Sequence, residues 1–354
     1  MKKRTVQLLK CKPGMRLAED IFTRHGTVII SSDTILDEEI IERLDYLGFN
    51  KVSIYNDSEE TIEMNYKNIK RINNSIVSKI YNENVKKIKE VLYDIANGND
   101  ISVEKINNVS DSVFINFSEN KNIVDCIHEI RAVDEYTYTH CIDVALLSML
   151  IGKWSGMNLD ELKILVQSGL LHDIGKSKIP DEILNKPGKL TDEEFEVIKK
   201  HTEFGFEIIK SNDIPDDIGM AALMHHERED GSGYLQKLAS SKIHKFAKIV
   251  AVADVYDAMT SNRVYRSKRT PFEVINHIMN NEVDRLDKSV VDIFVNNIAY
   301  YYLGDRVTLS SGDEGEIVFI NPGNIARPII KVRNRFLDLS KEKKLDVTNV
   351  IRQV

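Results

Sequence analysis

The chain of 354 residues is short of cysteine, proline and tryptophan, with three, seven and one of them respectively. Cys11, Cys126 and Cys141 are odd in number and share no Cys-x-x-Cys spacing. That pattern argues against a disulfide framework and fits a reducing compartment. Positive charge is also in deficit: 48 Lys and Arg against 55 Asp and Glu leave a formal net charge of −7. Such a balance disfavours a broad grip on duplex nucleic acid or an anionic membrane, and leaves room only for a local basic pocket. No stretch approaches the ~20 apolar residues of a membrane span. The N-terminal MKKRTVQLLKCKPGM is basic but lacks the apolar run of a signal peptide. These absences point to a cytoplasmic protein.

What is present is ordinary globular material, 42% apolar and 29% charged, in a chain long enough for two or three domains. Residues 1–58 read as a small α+β unit. There IFTRHGTVII forms a hairpin signal around His25-Gly26, Asp37 can cap the helix EEIIERLDYLG, and Gly48 ends that helix before the strand KVSIY. Residues 59–125 read as a connector of amphipathic helices broken near Gly98 and Asn99. Residues 126–303 carry strongly apolar helices on short loops, the pattern of an all-α bundle. Asn158 with Glu161, and Thr191 with Glu194, stand at capping-box spacing, and Thr270-Pro271 with Glu273 opens another helix. FEVIKKHTEFGFEIIK reads as one continuous helix with His201 inside it. Residues 304–354 alternate β-branched residues with turn residues, giving a small β-rich tail. The whole is mainly α.

The bundle region places metal-competent side chains one or two to a helix. His140 lies in the first apolar helix, His172-Asp173 ends the second, His201 follows, His225-His226 ends another, and Asp254 lies within IVAVADVYDAM. Helical bundles build metal sites from inward-facing side chains of this kind. Each residue alone reads more simply as a hydrogen-bonded core group, a chance pair or a helix terminus; in this order they read together as ligands. Imidazole and carboxylate without thiolate suit iron, manganese or zinc. Their number exceeds the needs of one tetrahedral ion and suits two ions sharing a carboxylate, for which Asp173 is the natural bridge. His25 reads as a surface turn residue, His128 as a surface or partly buried helix residue, and His244 and His277 as surface or packing residues.

Two further stretches suit an anionic substrate. HHEREDGSGYL, residues 225–235, leads from the histidine pair into a loop whose Gly231 and Gly233 allow close backbone approach. TSNRVYR, residues 260–266, sets Arg263 and Arg266 three apart, on one face if helical, where guanidinium groups can clamp phosphate.

HDIGKSKIPDEILNKPGKLT, KKHTEFG, HHEREDGSGYL and ADVYDAMTSNRVYR, in that order, resemble the HD-GYP family of bacterial cyclic-di-GMP phosphodiesterases across residues 130–300. The flanking KPGMRLAEDI and the β-rich tail also occur around such domains. The resemblance implies an HD-type helical bundle and a role in second-messenger signalling. It implies a centre of two divalent ions, non-haem iron or manganese, held by His140, His172, Asp173, His201, His225, His226 and Asp254. The acid that holds a third ion in some members is replaced by Tyr136, with Glu135 beside it. Asp173 and Lys176 would be catalytic, Lys176 sitting by the scissile phosphate. Tyr234, Arg263 and Arg266 would bind substrate. The implied reaction is hydrolysis of cyclic di-GMP to pGpG and onward to GMP, through attack by a metal-bridging hydroxide. One departure stands out: the Gly-Tyr-Pro signature reads Gly233-Tyr234-Leu235 here, which frees a backbone dihedral in the loop. It keeps two alternatives open, a weakly active or inactive cyclic-di-GMP receptor and a hydrolase of another cyclic dinucleotide such as cyclic GMP-AMP.

Overall fold

The computed structural model describes residues 3–22, 28–96, 102–118, 123–124, 127, 136–261 and 269–351. The chain divides into two compact units, residues 1–78 and 79–353.

In the first unit β1 (Lys3–Gln7) pairs antiparallel with β4 (Lys51–Tyr55), and β2 (Ile21–Phe22) with β3 (Val28–Ile30). The expected hairpin is therefore present, while its His25-Gly26 turn lies outside the described residues. Between the strands runs α1 (Glu38–Tyr46). The Asp37 carboxylate accepts the Ile40 N–H at 2.8 Å to start it, and Gly48 at φ +80° turns the chain out of it. Leu8, Leu17, Leu36, Leu44 and Ile54 close the core. Helix α2 (Glu59–Ala96) contributes to both units. Ile62 packs on the N-terminal core, and Tyr81, Val85, Ile88 and Val91 are buried in the second unit.

The second unit continues with α3 (Val103–Phe117), α4 (Tyr136–Trp154), α5 (Leu159–Leu171), α6 (Asp181–Leu184), α7 (Asp192–Lys199), α8 (His201–Ser211), α9 (Asp216–Met224), α10 (Lys245–Thr260), α11 (Pro271–Asn281) and α12 (Lys288–Ile298). The expected connector break at Gly98 and Asn99 falls between α2 and α3, outside the described residues. Helix α4 is apolar on every side because it is buried on every side: Cys141 to Ile151 lie inside the bundle without interruption. Both anticipated capping boxes form, at Asn158/Glu161 and Thr191/Glu194, and the helix start read at Thr270-Pro271 with Glu273 proves to be a third, with Pro271 in the first turn.

One helix expected from the sequence is two. The stretch FEVIKKHTEFGFEIIK breaks at Lys200, so His201 opens α8 instead of lying mid-helix. The break re-aims the chain while leaving Lys200 near helical angles, φ −64° and ψ −13°, which is why no Gly or Pro announces it. The tail folds as an antiparallel five-stranded sheet in the order β8-β7-β6-β5-β9, from β5 (Arg306–Leu309), β6 (Glu314–Phe319), β7 (Ile329–Val332), β8 (Arg335–Asp338) and β9 (Val347–Ile351). Among the described residues, no helix is long and apolar enough to cross a membrane.

Candidate metal centre

Close helix packing carries the histidines to one place. A Cβ on Gly169 of α5 would come 2.5 Å from the Ala145 Cα of α4, so only glycine lets these helices approach so nearly. Gly175, just past His172 and Asp173, sits against the start of α8, and a Cβ there would overlap the His201 carbonyl oxygen. That fit draws the short 3-10 turn Ile174–Lys178 onto α8 and brings Asp173 beside the His201 ring.

His140 projects from α4, His172 ends α5, Asp173 follows it, His201 opens α8, His225 ends α9 with His226 next, and Asp254 lies in α10. Asp173 stands at their centre. Its Oδ1 is 3.3 Å from His201 Nε2 and 3.8 Å from His225 Nε2. Its Oδ2 is 3.3 Å from His172 Nε2 and 3.7 Å from His140 Nε2. The ligand atoms thus form two groups that share this one carboxylate: Asp173, His201, His225 and His226, and His140, His172 and Asp173. Asp254 closes the second side, its Oδ1 3.2 Å from His140 Nε2.

The ring tautomers follow from the outer contacts. Nδ1 of His172, His201 and His225 each meets the carbonyl three residues earlier, Gly169, Ile198 and Ala222, at 2.7 to 2.9 Å. A carbonyl only accepts, so each Nδ1 carries the proton and each Nε2 lone pair faces inward, as a metal ligand requires. His140 does the same with a carboxylate, its Nδ1–H donating to Asp257 at 2.7 Å. His172 Nε2 and Asp173 Oδ1 are buried without a hydrogen-bond partner. Orphaned atoms of this kind are costly in a dry interior and are satisfied by a cation. The residues present therefore fit a divalent metal ion.

The electrostatics agree. Burial alone would raise the Asp173 carboxyl, yet Lys176 and His172 hold it well below the usual carboxylate range. Against the same opposing burial, His140 holds Asp254 well below it too. Burial pushes His225 down to about 4 and His226 well below an ordinary imidazole, which keeps both rings neutral. Burial likewise opposes protonation of His140, but Asp254 and Asp257 raise it to about 10.

Of the expected substrate residues, Lys176 forms an ion pair with Asp173 Oδ2. Tyr234 stacks on His226, ring centroids 4.6 Å apart and planes 28° apart. Arg263, Arg266, His128 and Glu135 lie outside the described residues, as does the side chain of Tyr136. His244 pairs with Asp217 at 3.1 Å and His277 with Glu282 at 3.6 Å, away from the cluster as anticipated.

Three residues escaped sequence reasoning. Asp257 orients His140; its signal was its place one helical turn after Asp254. Glu227 is 3% exposed and accepts the N–H groups of Gln236, Lys237 and Leu238 at 2.7 to 3.1 Å. It fastens the Gly233-Tyr234-Leu235 loop from within, whatever freedom Leu235 restores. Gly233 allows that fold, since a Cβ there would come 2.5 Å from backbone atoms of residues 226–228. The third is Arg228, whose Nη1 donates to the carbonyls of His225 and Glu227.

Helices around a His-Asp cluster define the HD class, and the HD domain model matches residues 138–290. That stretch is an HD domain, and the curated proteins it is similar to include cyclic dinucleotide phosphodiesterases. The chain is 32% identical over 240 residues to a cyclic di-GMP phosphodiesterase of Pseudomonas aeruginosa, covering 68% of this chain and 58% of that one. A 3'3'-cGAMP-specific phosphodiesterase of Vibrio cholerae is 38% identical over 186 residues, 51% of this chain and 41% of its own. A cyclic di-GMP phosphodiesterase of Thermotoga maritima is 40% identical over 175 residues, 49% and 47% of the two chains. The chain thus spans about half the length of these curated relatives. The fold is shared with Bd1817, an HDG"Y"P protein of Bdellovibrio bacteriovorus, at a TM-score of 0.52 and 16% identity over 83% of this chain and 98% of that one.

Proposed function

We propose that the chain is a metal-dependent phosphodiesterase that hydrolyses cyclic di-GMP to pGpG and on to GMP, with two divalent ions, iron or manganese, in the His-Asp cluster. The observation that carries this reading is the division of Asp173 between two imidazole groups, one at each carboxylate oxygen. A carboxylate so placed suits the bridge of a two-ion site. Bound ions of this kind acidify water and stabilise the charge that develops on a phosphodiester.

The protein's own groups complete the reading. His140, His172 and Asp254 would hold one ion, and His201, His225 and His226 the other, with Asp173 common to both. The Nδ1–H bonds fix the rings of His140, His172, His201 and His225 before substrate arrives, so little reorganisation of them attends the reaction. Lys176, paired with Asp173 and 30% exposed at its side chain, presents an ammonium at the mouth of the cluster. There it offsets phosphate charge as it grows in the transition state. Tyr234, stacked on His226, would line the pocket, and Arg263 and Arg266 would hold the phosphates. The relatives named for cyclic di-GMP and for cGAMP support the substrate class.

The test is anaerobic purification, reconstitution with Fe(II) or Mn(II), metal analysis and assay against cyclic di-GMP and cyclic GMP-AMP. Linearised product with the wild type is expected, together with loss of both metal and turnover in Asp173→Ala. Undiminished turnover by that variant would refute the mechanism, and tight binding without product would make the chain a receptor.

A further inference from the structure

Helix α7 buries none of its residues, so the core makes no demand for a large aromatic there. It nevertheless carries Phe195, 42% exposed. The ring meets that of Tyr234 edge to face, centroids 6.2 Å apart and planes at 77°. Tyr234 in turn lies on His226 of the ligand cluster. Lys199, one helical turn beyond Phe195, places its ammonium 4.8 Å from the Phe195 centroid and 5.8 Å from that of Tyr234. A row of rings, His226, Tyr234 and Phe195, therefore leads from the cluster to solvent with a cation beside it.

An exposed phenylalanine on a helix surface sheds water when a flat apolar surface covers it. A purine is such a surface, and base stacking on aromatic side chains tolerates any base because every base has a π-face. The Lys199 ammonium is paired with Glu196, so the platform rests on its rings rather than on a free charge. We propose that Phe195 is a substrate-binding residue, the stacking platform for one purine of the cyclic dinucleotide whose phosphate sits at the His-Asp cluster. The inference rests on the phosphodiesterase reading and adds to it a residue that sets affinity through the base.

The experiment uses the metal-loaded full chain with Phe195→Ala and Phe195→Trp. Far-UV circular dichroism establishes that both remain folded, as an exposed position on a helix outside the core predicts. Phe195→Ala should raise KM for cyclic di-GMP about 5- to 100-fold with kcat unchanged, the loss expected of one stacked base. Phe195→Trp should restore KM, and its emission should be quenched by cyclic di-GMP with a midpoint matching that KM. The wild type supplies the background, since Trp154 is its sole tryptophan. A wild-type KM in Phe195→Ala, or Phe195→Trp emission indifferent to saturating dinucleotide, overturns the platform while leaving the phosphodiesterase reading intact. Failure of the wild type to bind or cleave any cyclic dinucleotide overturns that reading and the platform with it.

Discussion

His140 Nδ1 lies 2.7 Å from the carboxylate of Asp257, while its Nε2 faces Asp254 at 3.2 Å. Both acids belong to α10, three residues apart, and both are drawn to one imidazole of α4. Asp257 is fully buried, and its other oxygen accepts the Ser261 hydroxyl at 3.1 Å. It acts as a positioning residue, holding the ring by its outer nitrogen so that the inner one is free for a metal.

Asp257→Asn keeps the shape and removes the charge. Loss of such an outer carboxylate costs 10- to 100-fold in metal affinity, on the order of the effect seen at other histidine sites. Metal titration by calorimetry should show that weakening with the fold intact. The apo protein should also lose part of the elevated protonation of His140, the part not held by Asp254, readable as a shift of its ring resonances with pH. Unchanged affinity and an unchanged His140 titration would show that Asp257 serves packing alone.

The comparison of Asp173 with Asp257 marks how far the sequence could be read. The His-Asp cluster was legible because His172-Asp173 at the end of an apolar helix has no easy structural use, and the other histidines and Asp254 follow it one or two to a helix. Asp257 and Glu227 were not, because what each does depends on a group brought to it by folding, from a different helix or from the returning loop. The β-rich tail and the capping boxes were legible for the opposite reason, since alternation and the Ser/Thr/Asn-x-x-Glu device act within a few residues. The break at Lys200 left no trace, because Lys200 keeps near-helical angles and no Gly or Pro stands there.

Glu227 offers a second measurement. Its carboxylate holds three backbone N–H groups of the loop that carries Tyr234. Glu227→Ala leaves those donors without their acceptor in a nearly closed space, at a cost of roughly 2–4 kcal/mol. Urea denaturation should show that loss. Glu227→Gln keeps one acceptor oxygen and should lose less. If both variants melt as the wild type does, the loop is held by other contacts.

The last prediction concerns pH and the metal-free protein. His225 is held at about 4 by burial, against an ordinary 6.5, so between these values the unfolded chain takes up a proton that the folded one refuses. Folding stability must therefore fall as pH drops from 6.5 toward 4, by about 3 kcal/mol for this ring alone, and His226, depressed by the same cause, adds to the slope. His140 has the opposite sign. Raised to about 10, it contributes stability that is whole below 6.5 and is lost as pH climbs through 10. The chelated protein should accordingly show a melting temperature that falls on both sides of neutrality, the acid limb being flattened in His225→Gln. Added divalent metal should raise the neutral plateau, because it binds only the deprotonated rings and only in the folded chain. A melting temperature flat from pH 7 to 4.5 without metal would mean that His225 accepts its proton inside the fold, contrary to the dry setting in which the structure places it.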